Sequence, residues 1–310
     1  MLEVNNLVKS YGKVMAVNDL SFKIEKGSIF GFVGPNGAGK TTTMKIMAGL
    51  LRATKGNITI DGEDITKNSA LLREKIGYMP DFFGVYDNLK VSEYMDFYAS
   101  AYYIPLSERK ELIDNLLGIV NLTEKKDIYV DSLSRGMKQK LCLARSLIHD
   151  PEILILDEPA SGLDPRARVE MKEALKHLSH MGKTIIISSH ILPELAEICT
   201  EIGIIDNGVM RAKGSVLQIM RMLSKKRIIS ISPLSGMEAL LNLLKERPNI
   251  SNIIENEDNV EISFDGEDSE VANLLTEIVK AEIPVLAFKE KAGDLEEIFM
   301  QITGGEKKDA

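Results

Sequence analysis

The chain has 310 residues, 44% of them hydrophobic and 27% charged, with a net charge of −8. That is material for one large domain or two with proper cores, and the acidic balance argues against nucleic acid as the main partner, because no basic surplus exists to neutralise phosphates. The imbalance is local. Residues 1–224 hold 28 basic and 28 acidic side chains, whereas 225–310 hold 10 and 18. A neutral body followed by an acidic piece predicts two domains, 1–224 and 225–310.

No apolar run approaches the ~18 residues that span a bilayer, and Met1-Leu2-Glu3-Val4 lacks the basic-then-apolar order of a secretory signal. Cys142 and Cys199 lie far apart inside apolar helical patterns, which fits buried thiols in a reducing compartment rather than a disulfide.

In chain order, the first sixty residues read as strands: Val14–Ile24 alternates, Ser28–Val33 is a short apolar run, and Asn57–Ile60 leads into an Asp61-Gly62 turn. A helix is predicted from about Gly39 to Leu50, and the stretch from about 70 to 147 is mostly helical, with Leu112, Leu116 and Ile119 on one face. Strand then alternates with helix: Ile153–Leu156, a helix after Pro165, Thr184–Ser188, a helix over Leu192–Cys199, and Ile202–Ile205 before an Asn207-Gly208 hairpin turn. Apolar strands alternating with helices predict a parallel sheet covered on both faces.

After Lys225 the rhythm changes to strand Arg227–Ser232, helix Gly236–Arg247, strands Ile250–Glu255 and Val260–Phe264, helix Ser269–Lys280 and strand Ile283–Phe288, with a last short helix at Leu295–Ile302. The order β-α-β-β-α-β is ferredoxin-like.

Gly34-Pro35-Asn36-Gly37-Ala38-Gly39-Lys40-Thr41 matches G-x-x-x-x-G-K-T, follows an apolar strand and opens a helix, which is the context a P-loop requires. Glycines let backbone N–H groups wrap phosphate oxygens, the helix N-terminus adds positive potential, Lys40 supplies a point charge, and the hydroxyl of Thr41, followed by Thr42, can ligate Mg²⁺. The apolar strand Ile153–Leu156 ends in Asp157-Glu158. Asp157 is placed to hold Mg²⁺ through water, and Glu158 to orient or deprotonate an attacking water. Together these motifs predict a P-loop ATPase or GTPase.

Leu133-Ser134-Arg135-Gly136-Met137 narrows that class, since it precedes a helix and lies some twenty residues before Asp157. Here the chain resembles the ABC ATPase family, whose signature reads L-S-G-G-Q. Ser134 and Gly136 match, and the resemblance implies that they contact the γ-phosphate held by an opposite subunit. Arg135 and Met137 depart from it. Over residues 1–220 other family elements follow in order. Ser161-Gly162-Leu163-Asp164 resembles the D-loop, His190 the switch histidine, and Tyr11 the aromatic that stacks on adenine. Where the family carries a Mg²⁺-sensing Gln, this sequence has Asp81 after Met79-Pro80.

Two weaker patterns have plain readings. His177 and His180 are three apart on a helix with no third ligand, which suits a solvated face. Tyr94, Phe97, Tyr98 and Tyr102 suit a helix face in the segment that, in the family, meets the membrane partner.

The resemblance thus implies a P-loop α/β core with an antiparallel β subdomain and a helical insertion at about 80–145, followed by a small α+β ferredoxin-like domain. It implies ATP and Mg²⁺ as ligands, a head-to-tail dimer, an integral-membrane permease as partner, the cytoplasmic face of the membrane as location, and export as the task. The alternative, a soluble ABC ATPase acting in translation or repair, typically carries two cores on one chain or a long coiled-coil insertion. This sequence has neither.

Overall fold

The computed structural model describes residues 1–66, 68–82, 84, 88–216, 218–219, 227–256 and 258–291. It divides into two compact units, Met1–Val216 and Leu217–Ala310.

The first unit contains two sheets. β1 (Leu2–Tyr11), β2 (Val14–Ile24), β4 (Lys55–Ile60) and β5 (Glu63–Asp64) form a four-stranded sheet in the order β2-β1-β4-β5, all of it antiparallel. Leu20, Phe22 and Ile24 on β2 point to the core, and the residues between them are exposed, the period-2 pattern of a half-buried strand. The second sheet has six strands. β3 (Ile29–Val33), β6 (Ile76–Met79), β7 (Ile153–Leu156), β8 (Thr184–Ser189), β9 (Glu201–Asp206) and β10 (Val209–Gly214) run in the order β10-β9-β3-β8-β7-β6. β9, β3, β8, β7 and β6 are parallel, and β10 closes one edge antiparallel through the Asn207-Gly208 turn. Every residue of β3, β7 and β8 is buried, which explains their unbroken apolar runs. Phe22 from the first sheet stacks on Phe30 from the second with centroids 5.5 Å apart, so one core joins the two sheets.

Among the described residues, helices α1 (Lys40–Met47), α2 (Ser69–Lys75), α3 (Val91–Ala101), α4 (Leu106–Ile119), α5 (Arg135–Ser146), α6 (Pro165–His180) and α7 (Leu192–Ala196) accompany these sheets. α3 to α5 are the helical insertion. The buried face of α4 is Ile113, Leu116 and Leu117, while Leu112 and Ile119 are only half-buried. The expected stripe is therefore rotated by one residue, because the Leu116-Leu117 pair fits two helical registers and packing chooses between them. In the aromatic cluster Tyr94 is fully buried and its hydroxyl accepts from Arg145 at 3.2 Å, whereas Phe97 is exposed. His177 and His180 are exposed. Cys142 and Cys199 are both free thiols, the first buried and the second half-buried.

The second unit folds as β11 (Arg227–Pro233), α8 (Met237–Lys245), β12 (Ile250–Glu255), β13 (Val260–Phe264), α9 (Asp268–Lys280) and β14 (Val285–Lys291). Its sheet runs β12-β13-β11-β14 and is antiparallel throughout, the ferredoxin-like arrangement. Ile229, Ile231, Val260, Ile262 and Phe264 from the sheet meet Leu240, Leu244, Leu274 and Ile278 from the helices in a separate core. β14 begins two residues later than the sequence suggests, after Pro284, which has no N–H to give to a ladder. The predicted helix Leu295–Ile302 lies outside the described residues.

Candidate functional site

β3 delivers the chain into the Gly34–Lys40 loop, and α1 begins at Lys40. Gly39 precedes the helix at φ 105°, a conformation open to glycine, and a Cβ there would come within 2.4 Å of the Ala16 carbonyl. A Cβ at Gly34 would meet the Ile205 carbonyl at the same distance. The loop is therefore wedged between β2 and β9 with no room for side chains at these two positions. Gly208 donates to the Ala38 carbonyl at 2.9 Å, so the β9–β10 hairpin also braces it. Thr41 is exposed and Thr42 half-buried at the start of α1.

Lys40 is buried, and its Nζ donates to the Gly34 carbonyl at 2.6 Å and to that of Pro35 at 3.3 Å. Glu158 Oε1 lies 3.8 Å away. Glu158 stands two residues past the end of β7 at φ 50°, a left-handed conformation costly for a side-chain-bearing residue. Three contacts hold it there. Its N–H donates to Ser188 Oγ at 2.9 Å, its Oε2 lies 3.0 Å from His190 Nδ1, and its Oε1 faces Lys40. Ser188 in turn donates to Asp157 Oδ1 at 2.6 Å. Asp157 Oδ2 is buried with no hydrogen-bond partner among the described residues.

Burial pushes the Glu158 carboxyl above the ordinary carboxylate range, against the opposing pull of the His190 hydrogen bond and the His190 and Lys40 charges. Burial likewise pushes the Lys40 ammonium down, while the charges of Glu158 and Asp157 hold it up. Chemically, the arrangement offers a cation and a helix N-terminus for an anion, and a carboxylate of raised basicity beside an imidazole.

Asp81 is exposed and lies just past the end of β6. β6 pairs with β7 in parallel, Met79 opposite Leu156, and the Asp157 N–H donates to the Met79 carbonyl at 2.8 Å. The same pairing brings the buried Tyr78 hydroxyl, which has no partner among the described residues, under the negative field of Asp157 and Asp81; that field adds to burial in raising its pKa. Tyr11 ends β1 with its side chain exposed, and Lys9 Nζ lies 5.0 Å from its ring centroid.

Ser134 caps α5, its Oγ accepting from the Met137 N–H at 3.3 Å. The loop before α6 lies against this helix. Gln139 Nε2 donates to the Ser161 carbonyl at 3.0 Å, and the Arg135 guanidinium covers Gly162 so closely that a Cβ there would meet it at 2.6 Å. Asp164 caps α6 through the Ala167 N–H at 3.0 Å, with Pro165 in its first turn.

Sequence reasoning missed Ser188 as more than the end of a strand. The available signal was a serine closing a strand buried on both faces, since a buried hydroxyl needs a partner. It also missed Gln139 and Tyr78, for which no local pattern exists.

A phosphate-wrapping loop after β3, with two carboxylates at the end of the parallel strand β7 one place beyond β8, defines a P-loop nucleotide hydrolase. The family model "ABC transporter" matches residues 17–161. Over 98% of both chains, the sequence is 35% identical to the linearmycin resistance ATP-binding protein LnrL of Bacillus subtilis (strain 168). It is 32% identical to the Nod factor export ATP-binding protein I of Ralstonia nicotianae, over 100% of this chain and 95% of that one. A solved ATP-binding subunit of an ABC transporter superposes with a TM-score of 0.65 at 31% identity, covering 72% of this chain and 92% of its own. The chain belongs to the ATP-binding subunits of ABC transporters; it binds ATP and hydrolyses it. Subunits of this family work with membrane permeases, and no helix among the described residues is long and apolar enough to cross a membrane itself.

Proposed function

We propose that this chain powers export through a separate integral-membrane permease, at the cytoplasmic face of the membrane, as one half of a head-to-tail homodimer. The observation that carries this reading is the likeness to two ATP-binding proteins over nearly the whole chain, C-terminal unit included, one of them a Nod factor export protein. Residues 1–224 act as the ATPase domain and 225–310 as an accessory domain, a division supported by the charge break and the two compact units. The test is co-expression with a multi-helix membrane protein from the same genome. Vesicles carrying both should move cargo outward only with ATP, and a chain ended at residue 224 should still bind ATP. Stable association with ribosomes or DNA, and none with the membrane protein, would sink the proposal.

Within the site, the Gly34–Thr42 loop and Lys40 bind the phosphates, Tyr11 stacks on adenine, and Ser134 with Gly136 faces the nucleotide of the opposite subunit. Glu158 draws the proton from the attacking water, oriented by His190. Thr41, Asp157 and Asp81 would hold Mg²⁺, and the buried, unpartnered Asp157 Oδ2 fits a hard cation or its water. When bound, the ion supplies positive charge against the phosphates.

Asp81 provides a test of its own. Asp81→Gln should keep hydrolysis but need more Mg²⁺ for half-maximal rate, because a neutral oxygen replaces a charged one. Asp81→Ala should lose most activity. Superimposable magnesium titrations for wild type and both variants would reduce Asp81 to a turn residue.

A further inference from the structure

α6 carries Arg168 one turn inside its N-terminus. Its Nη1 lies 2.8 Å from Glu194 Oε1 on α7, and its Nη2 donates to the Leu163 carbonyl at 3.3 Å. One guanidinium thus spans two segments that meet at the site. On one side, Leu163 belongs to the 161–164 loop, which Gln139 and Arg135 tie to the helix capped by Ser134. Gly136 lets the helix approach α6: a Cβ there would stand 3.0 Å from Ala167 Cβ, with Leu163 Cδ2 in ordinary contact at 3.4 Å. On the other side, Glu194 follows His190 by four residues on a short helix anchored by buried Leu192 and Leu195, and His190 reaches Glu158 at 3.0 Å.

A cavity of about 20 Å³, lined by Glu158, Ser161, Ser188 and Glu194 among others, separates the loop from α7. Beside it, the Arg168 fork ties the Leu163 carbonyl to Glu194. Its Nε–H is buried with no acceptor among the described residues, so the group has a spare donor for a second arrangement when the loop shifts. A second tie, Lys172 to Glu197 at 2.7 Å, also joins α6 to the residue that caps the end of α7, and no hydrogen bond joins it to the 161–164 loop among those described.

We infer that Arg168 is a positioning residue that couples the 161–164 loop, and through it the Ser134 helix, to His190 and Glu158 of the same chain. This rests on the catalytic reading of Glu158 and His190. Contact between the Ser134 helix and an opposing nucleotide then bears on His190 through this guanidinium, beside the direct tie from the Ser161 N–H to the Glu158 carbonyl at 3.1 Å.

The test compares steady-state ATPase kinetics, ATP affinity by calorimetry and thermal stability for full-length wild type, Arg168→Met, Arg168→Lys and Lys172→Met. Arg168→Met should lower kcat about ten- to a hundredfold, the scale on which small misplacements act, with ATP affinity unchanged. Arg168→Lys should keep Tm near wild type, because an ammonium still pairs with Glu194. It should not restore kcat, because a point charge cannot reproduce the two-armed fork. Lys172→Met should retain wild-type kcat. The inference is overturned if Arg168→Met or Arg168→Lys turns over normally, or if Lys172→Met is as slow as Arg168→Met, which would make both plain braces. Should Arg168→Met fail to fold, Arg168→Lys decides alone. Glu158→Gln, run in parallel, separates the two failures. Normal turnover in that variant removes the catalytic reading itself, whereas an inactive Glu158→Gln beside fully active Arg168 variants removes only the role of Arg168.

Discussion

Lys40→Ala is expected to lose tight ATP binding while remaining folded. The ammonium is buried within a loop whose backbone already converges on it, with the Gly34 carbonyl at 2.6 Å. Removing one partner of a buried charge pair costs about 2–5 kcal/mol, or about thirtyfold to several thousandfold in affinity. The loss should extend to chemistry, because Lys40 is one of the charges that hold the Glu158 pKa down against burial. Without it the Glu158 carboxyl rises further, and whatever turnover remains shifts its acid limb to higher pH. Calorimetry with ATP reads the first effect and a pH profile of residual hydrolysis the second. Wild-type affinity in a folded Lys40→Ala chain would remove the assignment of Gly34–Thr42 as the phosphate loop.

The parts of this site that were legible in the sequence are those whose chemistry is local. A loop that wraps phosphate needs glycines, lysine and a following helix within a few residues, and Gly34–Thr41 supplies them contiguously. Asp157-Glu158 could be read for the same reason, as carboxylates terminating an apolar strand. The links between such segments were not legible. Ser188 joins Asp157 and Glu158 only because β7 and β8 lie in parallel with Leu156 opposite Ile187, which carries Ser188 to the same sheet edge as the two carboxylates. No spacing rule announces a partner thirty residues away. The left-handed backbone at Glu158 is equally silent, since glutamate has no preference for it. The buried face was misread where local signals were degenerate, as with the doubled leucine of α4, and a boundary where a proline delayed pairing, as at Pro284 before β14.

Glu158→Gln should bind ATP yet lose turnover, by about 10²–10⁴-fold, the usual contribution of a positioned base. An amide is nearly isosteric and can still face His190, so the loss reports basicity rather than shape. The charge change also reaches Lys40: with its neighbouring anion gone, burial depresses the ammonium further, although a bound triphosphate supplies negative charge in its place. If hydrolysis is what parts two subunits closed over ATP, the variant should accumulate an ATP-dependent dimer in size-exclusion chromatography. Stability offers an independent check with a definite sign. Burial raises the Glu158 pKa in the folded chain, so the fold favours the protonated carboxyl. That contribution is complete below the unfolded pKa and is lost as pH climbs through the folded one. Glutamine never ionises and avoids the loss. Glu158→Gln should therefore match wild type in Tm at acid pH and equal or exceed it at neutral pH, measured without nucleotide. A variant that melts lower at neutral pH would mean that the contacts to Lys40 and His190 outweigh burial. One that hydrolyses ATP at the wild-type rate would mean that another group takes the proton.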